Sequence, residues 1–515
     1  MKNPTYDFFK MMHGKTLDEI GREIPSADTT VDRAMKQLVS RYPLRLLGRS
    51  QEGDVYISEE ERESNYHIIG APGEGKSKFL EYNIRQDIKL GNGLCLLDPS
   101  EFGDTCKKVL RYCALKDIKN VVYIDPKTIR SGKVACIQPL NPQYPKQSVF
   151  GVMEAVNNVF GVGKETETPR IRKYLPAVLR LLLKNNLTLY ESQIFRRYTD
   201  PKKISILDFD NDSLTVKDAF RNQYTFENFF SSTVNRFDLF WQEPLSLMLG
   251  ADTGIDFIKM IRDKWIILVN LHSSSSFSEM ESSLLGILIV SQIIQAVDTL
   301  RENHWKGVYY LYMDEAGRYA SPQIEPLLTY KRKTGLRLML AHHYFGQFDN
   351  KKDVLNSIKQ GARIKIMFNT PSPDDRLEMV RDLGYGGDIP PMLASYANSD
   401  LPKQYAIVKK NKEPPVRIKV PNVADITQIS DKQLEEYIRS LQFQPWYFSE
   451  QEIKDQINAR SIRTNIKSSQ LGKVDESETV SSPPVSRPIQ RELEKAIRPD
   501  NKKRPEPPPK RPIKI

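Results

Sequence analysis

Cysteine is scarce: the four thiols in 515 residues, Cys95, Cys106, Cys113 and Cys136, form no C-x-x-C pair. That excludes the spacing of a structural zinc site and of a dithiol redox motif. So few, scattered thiols fit a reducing cytosol. The start of the chain, MKNPTYDFFKMMHGKTLDE, has no apolar run behind its first lysine, so it does not read as a secretory signal. Long hydrophobic runs are missing as well. The most apolar helical stretch, SSLLGILIVSQIIQAV (282–297), is interrupted by Ser291 and Gln292 and flanked by Glu281 and Asp298. It falls short of the roughly 18–20 apolar residues that cross a bilayer and reads as a buried core helix. The expectation is a cytoplasmic protein with no membrane span of its own.

Acidic excess is also absent. Lysine and arginine number 76 against 65 aspartates and glutamates, a formal charge of +11. Such a balance suits a polyanionic partner, nucleic acid or an acidic membrane surface; it equally describes a near-neutral enzyme carrying a lysine-rich tail. An apolar fraction of 39% over this length fills a substantial core and allows two or more domains.

What is present is a phosphate-binding loop. Residues 66–82, YHIIGAPGEGKSKFLEY, run from a β-like stretch through a glycine-rich turn into a helix-forming stretch. The turn fits G-x-x-x-x-G-K-[ST], with strand before and helix after. Residues Gly70, Ala71, Pro72, Gly73, Glu74, Gly75, Lys76, Ser77 and Lys78 would cradle a nucleotide. Backbone N–H groups converge on the β-phosphate, Lys76 reaches the β/γ oxygens and the Ser77 hydroxyl ligates Mg²⁺. The cofactors expected are therefore ATP and Mg²⁺.

Hydrolysis needs a second acidic element. VYYLYMDEA places Asp314 and Glu315 after an apolar run, the arrangement in which an aspartate at a strand end holds the Mg²⁺ shell through water. Glu315 is then placed to polarise an attacking water as general base. Two further residues complete the candidate catalytic set of Lys76, Asp314, Glu315, Arg332 and His343. Arg332, in LLTYKRKTGLRL, could reach a neighbouring subunit's γ-phosphate, or be a surface cation like the lysines beside it. His343, ending LRLMLAHHY, could read the γ-phosphate or serve structure alone.

The runs GLCLLDP (93–99), NVVYIDP (120–126), KWIILVNL (264–271), GVYYLYMDEAG (307–317), LRLMLAHH (336–343) and ARIKIMFN (362–369) read as buried strands, mostly separated by helical stretches. That pattern predicts an α/β fold with a mostly parallel sheet. The predicted organisation is a small helical region over 1–44, a motor whose first part covers 45–160 and second part 241–425, an all-α insertion over 161–240, helices over 426–465, and a disordered Pro/Lys-rich tail over 466–515. Within 15–41, two short helices broken by Pro25 suggest a helix-turn-helix that leaves Arg33 and Lys36 for phosphates, or a plain helical hairpin.

The order of these motifs resembles the HerA/FtsK superfamily of DNA-pumping P-loop ATPases, and within it the TraG/TraD-like coupling proteins of conjugation and type IV secretion. YHIIGAPGEGKSK, GLCLLDPSEFGD, QPLNPQYP, KWIILVNLH, YLYMDEAGRYASPQIEPLLTYKRKTGLRLMLAHHYFGQF and KQYAIVKKNKEPPVRIKVP carry the resemblance over roughly residues 45–425. It implies a RecA-like motor in a hexameric ring, with ATP between subunits and DNA in the central channel. Arg332 matches the family's finger arginine. His343 stands where the family usually has a glutamine, and Gln347 matches a second one. The insertion corresponds to the family's all-α domain. The implied partners are DNA, further copies of the chain, and relaxase, relaxosome or secretion-channel proteins. The family's usual transmembrane helices have no counterpart here, which implies a ring tethered at the inner membrane by a partner, or a soluble relative. Two other readings fit the same motifs: a HerA-like DNA-repair translocase, and an ATP-switched adaptor that recruits protein cargo.

Overall fold

The computed structural model describes residues 44–160, 169–199, 204, 207–329, 334–384, 389–398, 401–411 and 413–463. The helical pair expected within 1–44, the tail from 466, and Arg332 lie outside them.

The strands are β1 (Arg45–Arg49), β2 (Asp54–Ile57), β3 (Tyr66–Ile69), β4 (Gly93–Asp98), β5 (Val121–Ile124), β6 (Lys133–Ala135), β7 (Ile266–Asn270), β8 (Tyr309–Met313), β9 (Leu336–His342), β10 (Ile364–Met367), β11 (Tyr405–Lys410), β12 (Val416–Lys419) and β13 (Tyr447–Ser449). Eleven of them form one sheet in the order β2-β1-β12-β11-β10-β3-β9-β8-β4-β7-β5. From β10 to β5 every neighbouring pair is parallel. The other end is antiparallel. β6 and β13 pair apart from it.

The parallel strands are continuous apolar runs because both of their faces are covered. Alternate residues separate cleanly between two cores. Tyr309, Leu311 and Met313 of β8 join one core, with Ile267 and Val269 of β7 and Cys95 and Leu97 of β4. Tyr310, Tyr312, Ile266, Leu268, Leu94 and Leu96 face the other. That second core is closed by helices α1 (Lys76–Lys89) and α2 (Asp104–Leu115), through Phe79, Leu80, Ile84, Val109 and Leu110. The first is closed by α3 (Pro145–Val159), α4 (Pro169–Lys184) and α5 (Glu279–Glu302). The described residues between Pro169 and Trp241 are helical throughout in their regular elements, and Phe220, Phe226 and Phe230 pack on one another, Phe220 and Phe230 edge to face and the other two pairs tilted.

α5 corrects one expectation. It is 24 residues long, opened by a capping box in which Ser278 accepts from the Glu281 amide and the Glu281 side chain accepts from that of Ser278. By length and composition it can cross a membrane, contrary to the reading of the shorter stretch, yet 67% of its apolar window is buried inside the protein. Leu284, Leu285, Ile287, Leu288 and Ile289 are each at most 1% exposed. It is a core helix. Further along, α6 (Lys352–Gly361) and α7 (Pro373–Asp382) flank β10, and α8 (Asp431–Leu441) and α9 (Glu450–Arg463) follow the sheet.

Candidate active site

The loop between β3 and α1 takes its shape from backbone geometry. At Gly70 a Cβ would sit 2.5 Å from the Phe368 Cβ, so no side chain fits there. Gly75 caps α1 with φ 117°, a conformation that favours glycine. The Gly70 and Ala71 amides are tied to the His342 and Asn369 carbonyls, at 3.3 and 2.8 Å. The amides of Gly73, Glu74 and Gly75 donate to no backbone carbonyl among the described residues. Unspent N–H groups at the start of a 14-residue helix make a phosphate cradle.

Lys76 is buried, 3% exposed, with its ammonium on the Gly70 and Ala71 carbonyls and 2.8 Å from His343 Nδ1. Burial pulls it down to about 8. An anion brought beside it reverses that penalty, so the site is built to gain from a phosphate. The Ser77 hydroxyl donates to Asp314 Oδ2 at 3.2 Å, which joins the loop to the end of β8. These are the two oxygen donors a Mg²⁺ ion would need from the protein, and hard oxygen ligands with room for water suit that ion.

Asp314 and Glu315 are neighbours in sequence with opposite electrostatics. Asp314 is buried, and burial, with Asp98 close by, pushes it up to about 6. Glu315 is half-buried. There too burial acts upward, but His343 and Arg318 outweigh it and hold the carboxyl below its usual range. One Glu315 oxygen faces Arg318 Nε at 2.5 Å and the other His343 Nε2 at 3.3 Å. His343 therefore has a fixed tautomer: Nδ1 accepts from Lys76, and Nε2 carries the proton and donates to Glu315. Its amide donates to Gln347 Oε1 at 2.7 Å. Lys76, Ser77, Asp314, Glu315, His343 and Gln347 thus meet at one place.

The sequence reading missed several partners. Arg318, three residues past Glu315, sits on the short helix Ala316–Tyr319 and orients the carboxylate; its i,i+3 spacing from an acid was the available signal. Asp98, Asp125 and Asn270 extend the polar rim along the carboxyl ends of β4, β5 and β7, with Asn270 donating to Asp125 at 2.9 Å. Asp98 accepts from the Ser100 and Cys106 amides at 3.0 and 2.7 Å.

The raised Asp314 has a consequence for stability. In the unfolded chain its carboxyl ionises near pH 4, and in the folded one near 6. Stability is therefore lost as the pH rises from the first value through the second, and stays lost above it. Asp314→Asn is expected to gain up to about 3 kcal/mol over the wild type at pH 8 in the absence of nucleotide, and nothing near pH 4. Urea denaturation at both pH values checks this; an equal gain at the two would contradict it.

No protein-family model matches the sequence, and no curated protein matches it. Solved structures do match in shape. The unbound monoclinic form of the bacterial conjugative coupling protein TrwB aligns with a TM-score of 0.50 at 14% identity, over 76% of this chain and 92% of that one. The plasmid coupling protein TrwB in complex with ADP and Mg²⁺ gives 0.51 at 15%, over 76% and 93%. The chain has the fold of a conjugative coupling protein. A third TrwB structure, the trigonal form in complex with sulphate, aligns at 0.51 and 15%, over 71% and 88%. These alignments span most of either chain.

Proposed function

We propose that this chain is a Mg²⁺-dependent ATPase that forms a hexameric ring and moves DNA, delivering it, alone or with bound protein, in conjugative transfer or type IV secretion. The observation that carries the reading is the meeting of Lys76, Ser77, Asp314, Glu315 and His343 within hydrogen-bond reach on a coupling-protein fold. ADP and Mg²⁺ are bound by TrwB in one of the matching structures, which supports the same pair here. In this reading the Gly70–Lys78 loop would hold the phosphates, Ser77 directly and Asp314 through water would hold Mg²⁺, which would supply charge neutralisation, and Glu315 would take a proton from the attacking water. His343 spans the space between the phosphate lysine and the base. Arg332 is assigned to the neighbouring subunit's γ-phosphate. A cytoplasmic ring held at the inner membrane by a partner, with relaxosome or channel proteins beside it, completes the picture.

The test is ATP hydrolysis by the purified chain with and without single- and double-stranded DNA, beside Lys76→Ala. Hydrolysis stimulated by DNA and lowered about 10²–10³-fold in the variant is expected, since the variant removes the buried cation that sits on the loop. An ATPase sensitive to the mutation but indifferent to both DNA forms would favour the protein-cargo adaptor.

A further inference from the structure

At the end of β3 opposite the nucleotide loop lies a cleft of about 160 Å³ lined by Lys359, Arg363, Lys365, Asp382, Lys409 and Asn411, with Leu383 and Gly384. Its charge is set by the sheet. Lys365 of β10 is the direct partner of Lys409 on antiparallel β11 and of His67 on parallel β3. All three point to the same face, a row across three strands. Like charges directly opposite each other destabilise a sheet, so a Lys–Lys pair at that register calls for an anion.

The described side chains supply only part of it. Asp382, at the end of α7, pairs with Lys365 Nζ at 3.0 Å. Glu378 pairs with Lys359 at 2.5 Å and lies 3.5 Å from Arg381. Lys409 reaches the Leu383 carbonyl. Arg363 is exposed, and its guanidinium has no partner among the described residues. Four cationic side chains thus face one lining carboxylate. Burial lowers Lys365, with Lys359 and Lys409 acting the same way against Asp382, a penalty that an anion in the cleft would relieve. The volume suits one tetrahedral oxyanion with a few waters, and the Arg363 fork matches phosphate oxygens.

Beneath the cleft, the polar contacts continue toward the nucleotide. The second Asp382 oxygen faces His67 Nδ1 at 3.0 Å, and His67 Nε2 lies 2.7 Å from His342 Nε2. Both histidines are buried. His342 also faces the Tyr344 carbonyl at 3.1 Å. The next residue is His343, on Lys76 and Glu315. We propose that the cleft binds a backbone phosphate of the transported nucleic acid, and that Asp382, His67 and His342 carry its occupancy to His343. An anion that draws Lys365 toward it weakens the hold of Lys365 on Asp382, which then leans harder on His67. The inference rests on the DNA-motor reading and adds to it a place of contact and a route of coupling.

The experiment uses the full chain, labelled single- and double-stranded oligonucleotides across a salt series, and steady-state ATPase. Arg363→Ala/Lys409→Gln is expected to weaken DNA binding about tenfold and to reduce the slope of log K against log salt by about 0.7–0.9 for each phosphate no longer neutralised. Basal hydrolysis stays at the wild-type level. His67→Asn is expected to keep DNA affinity and basal hydrolysis within about twofold, and to lose DNA stimulation. An unchanged slope in the double variant, with the wild type binding DNA, overturns the site. So does thermal stabilisation by inorganic phosphate that the double variant loses while its DNA slope is unchanged, because the cleft then takes a free oxyanion. Stimulation retained in a folded His67→Asn overturns the route, and Asp382→Asn repeats that test should His67→Asn not fold. A wild type that binds no DNA at all fails the motor reading itself, and this inference falls with it.

Discussion

Glu315→Gln is expected to lower kcat for ATP by about 10²–10⁴, the usual contribution of a positioned general base, while ATP binding changes little. Glu315 is held at φ 49°, ψ 50°, a left-handed conformation rare for a residue with a side chain. Such a conformation costs on the order of 1 kcal/mol and persists where the surroundings enforce it. Here both carboxylate oxygens are held, one by Arg318 and one by His343. The carboxyl stays ionised well below neutral pH, so it is available as a base throughout the physiological range. Glutamine keeps the shape but cannot take the proton, and its single amide oxygen can accept only one of the two hydrogen bonds that Arg318 and His343 now donate. The Lys76 contacts to the Gly70 and Ala71 carbonyls and the Ser77 contact to Asp314 do not involve Glu315, so equilibrium binding of a labelled ATP analogue should stay within about threefold. Single-turnover hydrolysis within tenfold of wild type would remove Glu315 from the role of base.

The same residues show what the sequence could and could not disclose. The nucleotide loop was legible because its chemistry is local: glycines at fixed offsets, a lysine and a serine, all inside nine positions. The parallel strands were legible because burial on both faces leaves an unbroken apolar run, as in the Ile266–Asn270 and Tyr309–Met313 strands. Asp314 and Glu315 were readable from their place at the end of such a run. The partners that set their charge were harder. Arg318 was hidden by the more arginine- and lysine-rich stretch that begins at Lys331. Asp98, which shares the crevice with Asp314, comes from a strand more than two hundred positions earlier, and only the sheet order brings them together. The His67, His342, Lys365 and Asp382 cluster is assembled from four elements, so no window of sequence contains it. The antiparallel end of the sheet was likewise not specified, because a short strand such as Val416–Lys419 alternates polar and apolar residues and pairs equally well in either sense.

The largest stability effect is expected far from the phosphates, at Asp87. It lies on α1, the helix that begins at the nucleotide loop, and is fully buried with Arg62 and almost fully buried Arg45. Its carboxylate takes two hydrogen bonds from Arg62, at 2.7 and 2.9 Å, one from Arg45 Nε at 2.8 Å and one from the Tyr312 hydroxyl. Arg45 also reaches Glu59 at 2.8 Å, and the Arg62 guanidinium lies over the Tyr310 ring at 4.1 Å. Burial alone would raise the Asp87 carboxyl, but Arg62 and then Arg45 hold it below its usual range. Its contribution is therefore present above about pH 4 and is lost as the pH falls through the depressed value. Asp87→Ala would strand two buried guanidinium groups, one with no carboxylate left, at a cost of about 3–5 kcal/mol. Against a typical total of about 5–15 kcal/mol, that lowers the melting temperature by on the order of 10 °C. The exposed Asp117–Lys119 pair makes the contrast, since Lys119→Ala should change stability by no more than about 0.5 kcal/mol. The effect reaches the active site because Tyr312 is two residues before Asp314, and α1 carries Ser77. Asp87 thus ties the helix that carries Ser77 to the strand that leads to Asp314, the two residues proposed to hold Mg²⁺. A folded Asp87→Ala protein should accordingly need more Mg²⁺ for half-maximal hydrolysis than wild type does. Urea denaturation showing a loss under 1 kcal/mol, or an unchanged Mg²⁺ requirement, would mean that packing of α1 against the sheet holds the site together without this cluster.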